Sequence, residues 1–107
     1  MADIKRHQTG AHLSKAVVHG NTAYLAGLVA DDLDADAKGQ TQQILKQMDT
    51  LLAACGTDKT KLLSAVIWVK EIRFRDDVNT VWIPWIAKGQ APARACIEAK
   101  LADPKAL

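Results

Sequence analysis

The sequence predicts an α+β fold, a two-layer sandwich in which two helices cover one face of a mixed sheet. Three observations carry this. Two short apolar runs flank the turn signal His19-Gly20-Asn21 and read as a β-hairpin. Two later stretches repeat apolar residues at helical spacing, and two more are rich in strand-favouring residues. The resulting order is β-β-α-β-α-β with no internal repeat, linker or low-complexity tract, so residues 1–107 read as a single domain.

Residues 1–12 are polar and carry no period. Val17 and Val18 belong to the first hairpin strand and Tyr24 to Val29 to the second. Gly27 lies inside that second run, where glycine weakens a strand and often marks a bulge or a close backbone approach. Residues 31–39 form a polar loop. From about Gln40 to Cys55 the pattern turns helical: Ile44, Leu45, Met48, Leu51 and Leu52 form one apolar stripe, and Gly56 supplies a natural stop. Residues 62–70, nearly all apolar, predict a central strand covered on both faces. Val78, Val81, Trp82, Trp85 and Ile86 make a second helical stripe, with Asp76 or Asp77 as candidate cap and Gly89 as candidate end. An interior proline costs a helix about 3 kcal/mol, so Pro84 predicts a kink or an early stop. A strand led in by Pro92 closes the series.

At 107 residues the chain is the size of one ordinary domain. Its 49% hydrophobic and 24% charged content is that of a globular protein and excludes a disordered chain. Fourteen basic residues are interspersed with twelve acidic ones, without the basic run or stripe of a nucleic-acid binder. No apolar run approaches the ~20 residues of a membrane helix, and the first ten residues lack a signal peptide's apolar segment. The expected location is therefore the cytoplasm, with Cys55 and Cys96 as free thiols.

The stretch Gln90-Ala-Pro-Ala-Arg-Ala-Cys-Ile-Glu98 places a guanidinium in a strand. Side chains alternate along a strand, so Arg94, Cys96 and Glu98 share one face, and Ala93, Ala95, Ile97 and Ala99 share the other. The second face is small and apolar, suited to packing under a helix. Arg94 and Glu98 then form either an ordinary surface charge pattern or an anion site. In an anion site the rigid guanidinium grips a carboxylate through two parallel hydrogen bonds.

The run from Ala91 to Glu98 resembles the Pro-Ala-Arg-Ser/Ala-Cys-x-Glu motif of the Rid (YjgF-type) family of reactive intermediate deaminases. Three further pieces fall in the family's order. Val17 to Gly27 resembles its second strand, which ends in Ser-Gly or Ala-Gly. Gln40 to Gly56 resembles its first helix, opened by Gln-Thr. Val78 to Trp82 resembles the asparagine-containing start of its second helix. The resemblance spans roughly residues 14–101.

This resemblance implies a chorismate-mutase-like trimeric fold with a site in each cleft between subunits. It also implies hydrolysis of enamines and imines such as 2-aminoacrylate to 2-keto acids and ammonia, with no metal or organic cofactor. On it, Arg94 binds the substrate carboxylate, and the backbones of Gly27 and Cys96 hold the substrate's other polar atoms. Asn79 matches an asparagine near the family's site, although a helix-capping role suits it equally. Ala26 and Leu13 stand where the best-studied branch has serine and tyrosine. The family's last strand carries a glutamate thought to orient the hydrolytic water, and this sequence stops just before that strand. Glu98 is the nearest carboxylate, but its family counterpart is not the catalytic one.

Other side chains invite functional readings. His7, His12 and His19 lie early in the chain, with no third ligand near the His12/His19 pair, and read as structural or surface residues. Trp68, Trp82 and Trp85 could stack on a ligand, but Trp82 and Trp85 lie on the helical stripe, which favours core packing. Cys96 has no histidine partner to make it a nucleophile and reads as a packing residue. The leading expectation is an imine/enamine deaminase. Behind it stand a non-catalytic binder of small carboxylates and an endoribonuclease. Chorismate mutase activity would rest on fold analogy alone.

Overall fold

The computed structural model describes residues 3–107. Its strands are β1 (Ile4–Thr9), β2 (Ser14–His19), β3 (Thr22–Leu25), β4 (Ser64–Val69) and β5 (Ala93–Glu98). Its helices are α1 (Ala37–Ala54) and α2 (Arg75–Trp85). Antiparallel and parallel pairing are both present, as a mixed α+β arrangement requires: β1-β2-β3 form an antiparallel sheet and β4-β5 a parallel pair.

The hairpin turns where expected. His19 pairs with Thr22 across Gly20-Asn21, and Gly20 takes the positive φ of 61° that the tight turn demands. β3 is shorter than the apolar run, ending at Leu25 rather than Val29. Within the polar stretch that carries no period and so predicts no element, residues 4–9 form an additional strand, β1. β1 is an edge strand exposed along most of its length, so neither face selects apolar residues and no alternation marks it. Its Lys5 and Arg6 are the kind of charge that keeps an edge from pairing with other chains. Met1 and Ala2 lie outside the described residues.

α1 begins one turn earlier than the stripe suggests. Asp36 caps it, its carboxylate accepting the Gly39 amide at 2.8 Å. A Cβ at Gly39 would meet that of Ala35 at 2.9 Å, so only glycine fits this cap. The far end is a Schellman motif: Gly56, at φ 78°, donates to Ala53 at 3.0 Å, and Thr57 donates to Leu52 at 2.9 Å. Leu45, Leu51 and Leu52 of the stripe are buried. So is Gln40, whose Nε2 lies 3.0–3.1 Å from the carbonyls of Leu33, Ala35 and Lys105 while its Oε1 accepts from the Leu107 amide at 2.9 Å. One amide thus ties α1 to the loop before it and to the chain's last residues. Leu107 in turn accepts from the Lys70 amide at 2.8 Å, at the end of β4.

α2 is not capped by Asp76 or Asp77. Phe74 occupies the cap position without a side-chain bond, and the two aspartates lie in the first turn, where they complement the helix dipole. The expected early stop is found: Pro84 sits in the last turn and the helix ends at Trp85. Gly89, with φ 76°, turns the chain after the helix rather than ending it. Val78 and Trp82 are buried, and Trp85 donates its Nε1–H to Asp49 of α1 at 3.0 Å.

Two expectations about the parallel pair are overturned. β4 is covered on one face only: Val69 is 1% exposed whereas Trp68 is 50% exposed. On β5 the faces are reversed. Arg94 and Cys96 are half-buried, while Ala93, Ala95 and Ile97 are exposed. The register sets Val66 beside Ala95 and Trp68 beside Ile97. Together these residues make a contiguous apolar sheet face that this chain alone leaves in water.

Candidate functional site

Arg94 lies at the second position of β5, opposite Ala65 of β4. Its neighbours on the strand, Ala93 and Ala95, point to the opposite face, so the guanidinium extends alone towards α2. There it meets an aromatic face: the guanidinium carbon lies 5.4 Å from the Trp82 ring centroid. That is within the ~6 Å range of a cation–π contact. Among the described residues Arg94 forms no ion pair. The two pairs present join Arg73 to Glu71 and Lys105 to Asp34. Glu98, four residues along the same strand, is engaged elsewhere, its Oε1 accepting the Ile72 amide at 2.9 Å in the turn before α2. Arg94 and Glu98 therefore do not pair with each other, and the guanidinium keeps its N–H donors for another acceptor.

The remaining candidates fall into two groups. Cys96 shares Arg94's face as a half-buried free thiol opposite Ile67. Asn79 is the fifth residue of α2, so the capping alternative is removed. It lies three residues before Trp82 and thus on the same side of the helix. Its Oδ1 is buried and has no hydrogen-bond partner among the described residues. Leu13, Ala26 and Gly27 form the other group, at the open end of the β2–β3 hairpin, because Ala16 pairs with Leu25 and Ala26 donates to Lys15 at 2.9 Å. Leu13 is exposed. Gly27 lies two residues beyond β3 rather than within a strand, and a Cβ built on it would meet nothing within 4 Å. The space beside it is open to a ligand backbone or side chain. The two groups sit on different sheets, with no strand pairing between them.

His7 pairs with Ala16 within β1–β2, and His19 closes the hairpin. Among the described residues no cluster of three or more His, Cys, Asp or Glu is placed to hold a metal ion. Burial pushes the Cys55 thiol pKa up, which makes that residue a poor nucleophile. Trp82 is buried, as its helical stripe predicts, but its contact with Arg94 is not legible in the sequence. Its helical stripe marks it as facing the sheet, but the β5 alternation cannot say which strand face it meets.

The family model for Endoribonuclease L-PSP matches residues 4–107. A RutC family protein from Haemophilus ducreyi is 38% identical over 101 residues, covering 94% of this chain and 86% of that protein. The RutC family protein YoaB from Escherichia coli is 37% identical, covering 95% of this chain and 89% of that one. The chain belongs to the RutC/YjgF (Rid) family. Among solved Rid-type structures, a YjgF family member from Neisseria meningitidis superposes with a TM-score of 0.93 at 39% identity, covering 97% of this chain and 87% of that one. A Rid family protein from Yersinia pestis gives 0.84 at 26% identity, over 92% of this chain and 83% of that one. The α+β fold expected from the Rid resemblance is therefore the observed one. Among the described residues no helix is long and apolar enough to cross a membrane.

Proposed function

We propose that this protein is an imine/enamine deaminase acting on small carboxylate-bearing substrates of the 2-aminoacrylate type in the cytoplasm. It releases a 2-keto acid and ammonia, and it works as a homotrimer. The observation that carries the reading is Arg94: a half-buried residue whose guanidinium lies against Trp82 and pairs with no carboxylate among the described residues. Such a group is a ready carboxylate grip. Fixing the carboxylate fixes the neighbouring C=N carbon for attack by water, and positioning of this kind can be worth several kcal/mol. Imines hydrolyse in water unaided, so the site needs no strong nucleophile of its own.

Gly27 and the backbone of Cys96 hold the substrate's remaining polar atoms in this reading, with Ala26 and Leu13 as neighbouring wall. The open space beside Gly27 supports its part, and the free outer edge of β5 supports that of Cys96. The uncovered face of Val66, Trp68, Ala95 and Ile97 supports the trimer, since a partner subunit would cover it. As a single domain over residues 1–107, the chain then supplies both groups of candidate residues to inter-subunit clefts.

A second reading, a carboxylate-binding protein without turnover, is favoured by one observation. Glu98, the carboxylate nearest Arg94 in sequence, is held at the Ile72 amide. Generating 2-aminoacrylate with a serine dehydratase and following pyruvate release separates the two. Acceleration supports the deaminase. Calorimetric binding of 2-ketobutyrate without acceleration supports the binder.

A further inference from the structure

We propose that Trp82 is a positioning residue for Arg94, holding the guanidinium in its carboxylate-binding orientation through its ring face. The inference rests on the carboxylate-binding reading of Arg94. An arginine has four side-chain torsions to fix, and a ligand that must immobilise them loses affinity. A protein carboxylate would also orient the group, but it would occupy the same N–H fork that the substrate needs. An aromatic face attracts the cation without accepting any of its N–H bonds. Arg94 has such a face at 5.4 Å and no ion pair among the described residues.

For Trp82 to position anything it must itself be fixed, and it is. It is 6% exposed. Its ring packs against Trp85 with centroids 5.5 Å apart and planes tilted by 47°. Trp85 is anchored in turn by its Nε1–H bond to Asp49 of α1 at 3.0 Å, and Lys59 lies over its ring at 5.1 Å. An unbroken series of contacts therefore runs from α1 through two indoles to the guanidinium. The helix stripe that looks like plain core ends on the functional cation.

The test replaces Trp82 site-specifically with mono-, di- and trifluorotryptophan, which weaken the ring's attraction for a cation stepwise while nearly keeping its shape. Binding of 2-ketobutyrate is measured by calorimetry for each, and the thermal midpoint is recorded as a control on folding. The expected result is a stepwise rise in Kd totalling about three- to tenfold at an unchanged midpoint, in the range of a partly desolvated cation–π contact. A flat Kd across the series, with binding lost in Arg94→Ala, overturns the role of Trp82 and leaves the carboxylate site standing. Absence of 2-ketobutyrate binding in the unmodified protein overturns both the proposal and the reading beneath it.

Discussion

The guanidinium of Arg94 lies over the ring of Trp82, 5.4 Å from its centroid, and pairs with no carboxylate among the described residues. A charge held this way keeps its hydrogen-bonding edge free. Lysine at this position keeps the charge but loses the planar fork. Arg94→Lys is expected to weaken 2-ketobutyrate binding about tenfold or more, with folding intact. Calorimetry beside a thermal melt measures both, and equal affinity of the two proteins would show that charge alone suffices.

Glu98 is the carboxylate closest to Arg94 along the strand, yet it accepts the Ile72 amide. Its role is therefore structural, and the amide oxygen of glutamine can replace it. Glu98→Gln is expected to retain deaminase activity within about twofold. Glu98→Ala leaves the Ile72 amide without its acceptor and lowers stability by about 1 kcal/mol in urea unfolding. Loss of turnover in Glu98→Gln, with stability unchanged, would instead make Glu98 the water-activating group.

Gly27 carries an ordinary φ, and a Cβ there meets nothing within 4 Å. Gly27→Val therefore leaves the thermal midpoint nearly unchanged, the usual outcome for an exposed site. The branched side chain fills the space assigned to the ligand, so 2-ketobutyrate binding is expected to fall below detection. Undiminished binding would remove Gly27 from the site.

Trp68 is 50% exposed and lies beside Ile97 on the uncovered sheet face. A charge placed there would have to be buried in any assembly that uses the face, at a cost of several kcal/mol. Light scattering is expected to give the mass of three chains for the native protein and of one for Trp68→Lys. A native monomer would remove the inter-subunit site.

Much of this was legible in the sequence, for stated reasons. The α1 stripe, the Gly56 stop and the hairpin at Gly20 rest on local rules that tertiary context did not override. β1 was not legible because an exposed edge strand selects for backbone pairing and not for side-chain pattern. The start of α1 was missed because its first turn carries a cap and a glycine rather than apolar residues. The alternation of β5 correctly divided its side chains into two faces but assigned them the wrong way round. Ala93, Ala95 and Ile97 look like core, and in a lone chain they face water. An apolar face left open to water has the same composition as one packed under a helix, so periodicity cannot separate them. That reversal is also why Arg94 was identified through its motif while its contact with Trp82 was not.

The most direct test of the central claim follows 2-aminoacrylate, generated by a serine dehydratase, as it decays to pyruvate in the presence of this protein or its Arg94→Ala variant. The account predicts that the native protein accelerates pyruvate release and that the folded variant matches the uncatalysed rate. Equal acceleration by both, or none by the native protein, would contradict it.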